Sequence, residues 1–132
     1  MISNRDRSFL ARAIAIAVQG TERHRHGAIV VKGGRVIGHG VNTFRNHANN
    51  VTNPARESSY HAEITAMGSA NVKGATVYVA RLTRMGRVGV SKPCFNCYTE
   101  MIERGVKRVV WTGDDGVKTS PLDTMLYLLL SY

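Results

Sequence analysis

The sequence predicts an α/β domain: a mixed five-stranded sheet held between helices in a three-layer α/β/α sandwich. Three observations carry that expectation. Apolar spacing alternates between helical and strand-like periods, in the order helix, two strands, helix, strand, helix, strand, a short further strand, helix. Glycines and prolines fall at the joins. The chain has 132 residues, enough for one core and too few for two, so 1–132 reads as a single domain.

The elements follow in order. "SNRDRSFLARAIAIAVQG" carries Phe9, Leu10, Ala13, Ile14, Ala17 and Val18 at helical spacing, with Gly20 at its end. "GAIVVKGGRVIGHGVN" reads as two strands about a Gly33-Gly34 hairpin turn. "TFRNHANNVTNPARESS" is a long polar loop of the kind that often carries function. "YHAEITAMGSA" returns to helical spacing, and "ATVYVARL" is a buried strand rich in β-branched residues. "TRMGRVGVS" is a basic loop or hairpin excursion. "PCFNCYTEMIERG" is a helix with Pro93 near its first turn and Gly105 at its end. "VKRVVWT" is a strand, "GDDG" a turn, "VKTSPL" a short antiparallel return, and "LDTMLYLLLSY" a closing apolar helix. The helix-separated strands predict a mostly parallel sheet with an antiparallel hairpin at its start.

Composition narrows the function classes. Hydrophobic residues make up 43% and charged residues 20%, as in a globular protein. No stretch reaches the roughly 18–20 apolar residues that cross a bilayer. The N-terminus lacks a cleavage site and reads as an amphipathic helix. Two closely spaced cysteines make no disulfide framework, so a reducing cytoplasmic compartment is expected. The net charge of +9 favours polyanionic partners: nucleotides or nucleic acid. Between residues 23 and 56 stand Arg23, Arg25, Lys32, Arg35, Arg45 and Arg56. A second basic stretch, Arg81, Arg84, Arg87 and Lys92, leads to the cysteines.

Cys94 and Cys97 are three apart at the start of a helix, on one side of it. The positive end of the helix dipole favours thiolates there, the form that binds metal. Two buried apolar cysteines or a redox pair are the alternatives. The redox reading is weakened because the motif does not follow the first strand of a βαβ unit. His61 opens the preceding helix, and two successive strand–helix units bring their helix N-termini to one sheet edge. His61, Cys94 and Cys97 can therefore converge as three Zn²⁺ ligands with a fourth position open, the pattern of a catalytic site. Glu63 stands beside them to take a proton from bound water.

H-x-E followed by P-C-x-x-C is the signature of zinc nucleobase deaminases. The chain is identified as a member of the cytidine/deoxycytidylate deaminase superfamily. "PCFNCYTEMIERGVKRVVW" most resembles the deoxycytidylate deaminase branch and phage-type relatives. The resemblance implies a cytidine deaminase-like fold, zinc at His61, Cys94 and Cys97, Glu63 as the catalytic acid/base, and a homo-oligomer. It also implies that Asn42, in "GHGVN", holds the substrate sugar, and that backbone groups near Ala62 and Cys94 read the base. Some features depart from neighbouring branches. The wider cysteine spacing of riboflavin-pathway deaminases is missing, S-K-P-C replaces the E-P-C of tRNA adenosine deaminases, and "GDDG" resembles the free cytidine deaminases. There are no extra cysteines for a second zinc, and the spacing of His24, His26, His39 and His47 does not compel one.

The expected substrate is a cytosine nucleoside or nucleotide: cytidine, deoxycytidine or dCMP. By position, Arg45, Arg56 and Lys92 are candidates for its phosphate. Phe44, Tyr60, Phe95 and Tyr98 fall near the pocket. A single-stranded DNA or RNA deaminase, which would need an extended basic track and stacking aromatics, and a non-catalytic zinc-stabilised nucleic-acid-binding module are the other readings. An intact Glu63 speaks against the last.

Overall fold

The structure, a computed structural model, describes residues 2–21, 24–44, 59–113 and 116–121, with backbone alone at 43–44, 59–60 and 120–121. Its elements are α1 (Asn4–Val18), β1 (Arg25–Lys32), β2 (Arg35–Val41), β3 (Thr43–Phe44), β4 (Ser59–Tyr60), α2 (Ala62–Met67), β5 (Thr76–Leu82), β6 (Val88–Gly89), α3 (Phe95–Glu103), β7 (Arg108–Gly113) and β8 (Gly116–Pro121). The expected closing helix lies outside the described residues. Among those described, no helix is long and apolar enough to cross a membrane.

α1 begins with a capping box. The Asp6 N–H donates to Ser3 Oγ at 3.0 Å, and the Ser3 N–H donates to Asp6 Oδ2 at 3.1 Å. The helix buries Leu10, Ala13 and Ala17, while Val18, expected in the apolar stripe, is exposed. At the other end of the first hairpin, Gly33 and Gly34 both take positive φ (60° and 77°). That is the two-residue turn whose twist suits a hairpin, and Lys32 pairs with Arg35 across it.

The main sheet runs β2-β1-β5-β7-β8, with β6 paired to the end of β5. Of the pairings described in it, only β5 with β7 is parallel. This corrects the mostly parallel sheet expected from the helix-separated strands. The α2 crossover does join two strands that run the same way, β2 and β5. However, β1 lies between them and is antiparallel to both. The short strand after "GDDG" is present as β8, with Gly113 paired to Gly116. The two ends of the long polar loop are joined by the β3–β4 pair, Thr43 with Tyr60 and Phe44 with Ser59.

Alternation along the strands sorts side chains into two layers. Ile29, Val31, Tyr78, Ala80 and Val110 meet Leu10 and Ala13 of α1. Ala28, Val30, Val77, Val79, Val109 and Trp111 meet Ala62, Ala66 and Met67 of α2, and Cys97, Tyr98 and Met101 of α3. The sheet therefore has α1 on one face and α2 with α3 on the other, which is the expected sandwich. α2 lies very close to β2. A Cβ at Gly40 would fall 2.7 Å from the Ala66 backbone nitrogen, and one at Gly38 would strike the Ala66 carbonyl oxygen. "GHG" in β2 is thus the seat on which α2 rests, with His61 and Glu63 at its start.

A buried polar tie holds the opposite sheet edge. Tyr78 donates through its hydroxyl to Asp6 Oδ1 at 2.7 Å, and Arg108 pairs with Asp6 Oδ2. Burial pushes the Asp6 carboxyl up, but hydrogen bonds from Tyr78, Ser3 and Arg108, with the Arg108 charge, outweigh it and hold the group at about 2.

Candidate metal centre and active site

β2 and β5 run in the same direction and each is followed by a helix, so α2 and α3 start at one sheet edge. His61 is the N-cap of α2 and Cys94 the N-cap of α3. Neither makes a side-chain capping hydrogen bond, although those positions favour Ser, Thr, Asp or Asn. Cys97 follows one turn into α3 and is buried, while Cys94 is exposed.

The three donor atoms lie within 4.8 Å of one another. His61 Nδ1 is 3.1 Å from Cys97 Sγ and 3.5 Å from Cys94 Sγ. Tetrahedral zinc, with Zn–S near 2.3 Å and Zn–N near 2.0 Å, separates such donors by about 3.5–3.8 Å. The triad fits a zinc ion with small adjustment. Its proton balance agrees. Hydrogen bonds from Cys97 and His61, resisted by burial, bring the Cys94 thiol down to about 4. The same hydrogen bond to Cys94, followed by burial and the Glu63 charge, drives Cys97 upward. A second thiolate at Cys97 therefore calls for a positive charge beside it, which a bound divalent cation supplies.

Glu63 is 4% exposed and touches the Cys97 sulfur. Burial raises its carboxyl, opposed by its own backbone N–H and the His61 charge. A carboxyl this deep in an apolar core, next to a metal triad, has no packing role that an apolar side chain would not fill better. Ala62, between the ligand and the acid, is fully buried.

The turn that delivers Cys94 is fastened from inside. Ser91 is buried, and its hydroxyl donates to the Val79 carbonyl at 2.8 Å. It also accepts the Thr112 N–H at 2.8 Å. The Ser91 N–H donates to the Thr112 carbonyl at 2.8 Å, and the Thr112 hydroxyl donates to the Gly89 carbonyl. These bonds join β5, β6 and β7 and fix Ser91, three residues before Cys94. The sequence reading did not include Ser91 or Thr112.

Asn42 follows β2 at this same edge. Its Oδ1 accepts the His26 N–H and its Nδ2 donates to the His24 carbonyl, both at 2.8 Å. One amide hydrogen and further acceptor capacity remain. The His26 imidazole is depressed to about 4 by burial first, then by the charges of Arg81, His61 and His24. Lys92 and Phe95 are exposed and Tyr98 is packed in the core. Phe44 and Tyr60 are placed by backbone only, in the β3–β4 pair. Arg45 and Arg56 lie outside the described residues.

An α/β sandwich with a His-Cys-Cys metal triad and a buried carboxyl beside it defines a class, the zinc hydrolases of nucleobase amino groups. Residues 3–112 match the model of the cytidine and deoxycytidylate deaminase zinc-binding region, and the chain belongs to that family. The fold is similar to dCMP deaminase from the cyanophage S-TIM5, with TM-score 0.62 and 26% identity over 86% of each chain. It is also similar to cytidine deaminase from Burkholderia pseudomallei, with TM-score 0.65 and 25% identity over 88% of this chain and 91% of that one. Cytidine deaminase from Mycobacterium leprae shares the fold, with TM-score 0.60 and 20% identity over 96% and 98% of the two chains. A search of curated protein sequences found no match.

Proposed function

We propose that this chain is a zinc-dependent deaminase that hydrolyses a cytosine nucleoside or nucleotide to its uracil form. One observation carries the reading: the Glu63 carboxyl is buried against the Cys97 sulfur, beside three donors spaced for zinc. The dCMP deaminase and cytidine deaminase among its structural relatives support a cytosine substrate. High net charge alone speaks for a polynucleotide, and no further observation favours one.

His61, Cys94 and Cys97 would hold a zinc ion, which would supply Lewis-acid activation of a water molecule at neutral pH. Glu63 takes a proton from the attacking water as the water oxygen adds to C4 of the base, and gives that proton to N3. It then moves the second proton from the new hydroxyl to the departing amino group. The C4–N bond breaks, ammonia leaves, and C4 becomes the uracil carbonyl. Burial of Glu63 suits both tasks, since it raises the carboxyl and so makes it a better proton acceptor than an exposed one. Asn42, anchored on His24 and His26, has an amide hydrogen left for a sugar hydroxyl.

The test is a panel. Zinc-loaded protein is incubated with cytidine, deoxycytidine, dCMP, single-stranded oligonucleotide and tRNA, and each is followed by mass spectrometry for replacement of an amino group by oxygen. A cytosine mononucleoside or mononucleotide should react. Glu63→Gln should keep its zinc and lose about 10²–10⁴-fold in turnover. Wild-type rates in that variant would remove Glu63 from the mechanism.

A further inference from the structure

The metal triad does not account for a second group at the same sheet edge. Arg81 sits near the end of β5, paired with His26 of β1 on one side and Gly89 of β6 on the other. Strand alternation puts residue 81 on the face of Val77 and Val79, and residue 26 on the face of Ala28 and Val30. Those four residues belong to the core layer that holds Ala62 and Cys97. Arg81 and His26 therefore face the side of the sheet on which the metal ligands are carried. His26, the β1 partner of Arg81, also donates its backbone N–H to Asn42, which follows β2 at this edge.

The Arg81 guanidinium is only partly used. Its Nη2 donates to His24 Nδ1 at 3.1 Å. Because arginine can only donate, His24 must present a bare Nδ1 and carry its hydrogen on Nε2. The Arg81 Nε–H is buried and has no acceptor among the described residues. Gly89 lies against it: a Cβ there would come 3.1 Å from Thr83 Cγ2, 3.5 Å from Arg81 Cδ and 3.6 Å from Nε. Of the four described carboxylates, none is the partner. Asp6 is tied to Arg108 at the opposite edge, and Glu100 and Glu103 lie in the second half of α3. Glu63 is buried at the metal triad. A guanidinium fork is shaped for the paired oxygens of a phosphate, and a buried N–H left without an acceptor calls for one.

We propose that Arg81, held by His24, is the subsite for the phosphate of the substrate, and that the substrate is a cytosine nucleoside 5′-monophosphate rather than a free nucleoside. This rests on the cytosine-deaminase reading above and adds the charged half of the ligand. One guanidinium with one imidazole is a single-anion site. It suits a phosphomonoester, which carries close to two charges at neutral pH. A polynucleotide backbone would need a row of such sites.

The test uses the zinc-loaded full chain. dCMP and deoxycytidine are compared by kcat/KM in wild type, Arg81→Gln and Arg81→Lys. Wild type should prefer dCMP by at least tenfold. R81Q should cut that preference tenfold or more, mainly through the KM of dCMP, and R81K, which keeps charge but loses the fork, should fall between. In parallel, inorganic phosphate is titrated calorimetrically into each protein, and R81Q should bind it at least tenfold more weakly. Three results would overturn the proposal: wild type without preference for dCMP, an R81Q preference within twofold of wild type, or phosphate affinity untouched by the substitution. Loss of oligonucleotide binding in R81Q with the dCMP preference intact would also overturn it. If R81Q does not fold, R81K decides, and equality with wild type in both measurements refutes the assignment. If wild type deaminates no cytosine compound, the cytosine-deaminase reading fails, and the phosphate titration still judges Arg81 by itself.

Discussion

Replacing Asp6 by Asn should weaken the fold by a calculable amount, and the loss should depend on pH. The Asp6 carboxylate is buried, receives Ser3, Tyr78 and Arg108, and titrates at about 2 instead of 3.8. A depressed carboxyl favours the fold above its unfolded pKa and loses that contribution as pH falls toward the folded one. At about 1.4 kcal/mol per pH unit, the difference at pH 7 is about 2 kcal/mol after allowing for solvent screening. Aspartate in the wild type begins to protonate in the unfolded chain near pH 4, so the gap between wild type and D6N should shrink to roughly half by pH 3. Urea unfolding followed by the fluorescence of Trp111, the only tryptophan, measures it. Comparing the two proteins at each pH cancels protonation of the metal ligands. A gap under about 0.5 kcal/mol at pH 7, or one that does not narrow between pH 5 and pH 3, would show that the tie contributes little and the reasoning is wrong.

Three further outcomes are expected. Cys94→Ala should abolish stoichiometric zinc in elemental analysis, and full zinc content would remove Cys94 from the ligand set. Gly38→Ala drives a methyl into the Ala66 carbonyl, so it should cost about 1–3 kcal/mol in urea unfolding and loosen the seat of α2. An unchanged midpoint would mean that α2 has slack. Ser91→Ala strands the buried Thr112 N–H, at about 1–3 kcal/mol. It should also speed zinc release to a chelator, while wild-type stability and release would show that the cysteine turn does not depend on it.

What the sequence made legible was local. His61 with Glu63, and Cys94 with Cys97, are each separated by two or three residues, and the helix start that places each pair is visible in the same few residues. The glycine pair at 33–34 and the "GDDG" turn are equally short-range. The missed features join distant segments. Asp6 meets Tyr78 across 72 residues and Arg108 across 102. Ser91 meets Thr112 across 21, and His24 meets Arg81 across 57. The strand order failed for a related reason. Periodicity shows that α2 separates two strands of like direction, but not that β1 lies between them. The "SNRD" capping box was readable from its spacing, yet nothing local showed that Asp6 also reaches two strands of the sheet.

Both helices that carry the metal ligands start on those ligands. His61 and Cys94 occupy the positions where a polar side chain would normally close the first turn, and they close neither. α2 has only six residues, too few to persist alone. A zinc ion bound by His61, Cys94 and Cys97 would therefore brace two helix starts at once. Part of its binding free energy would be spent on ordering the backbone around it, which couples metal binding to the order of α2.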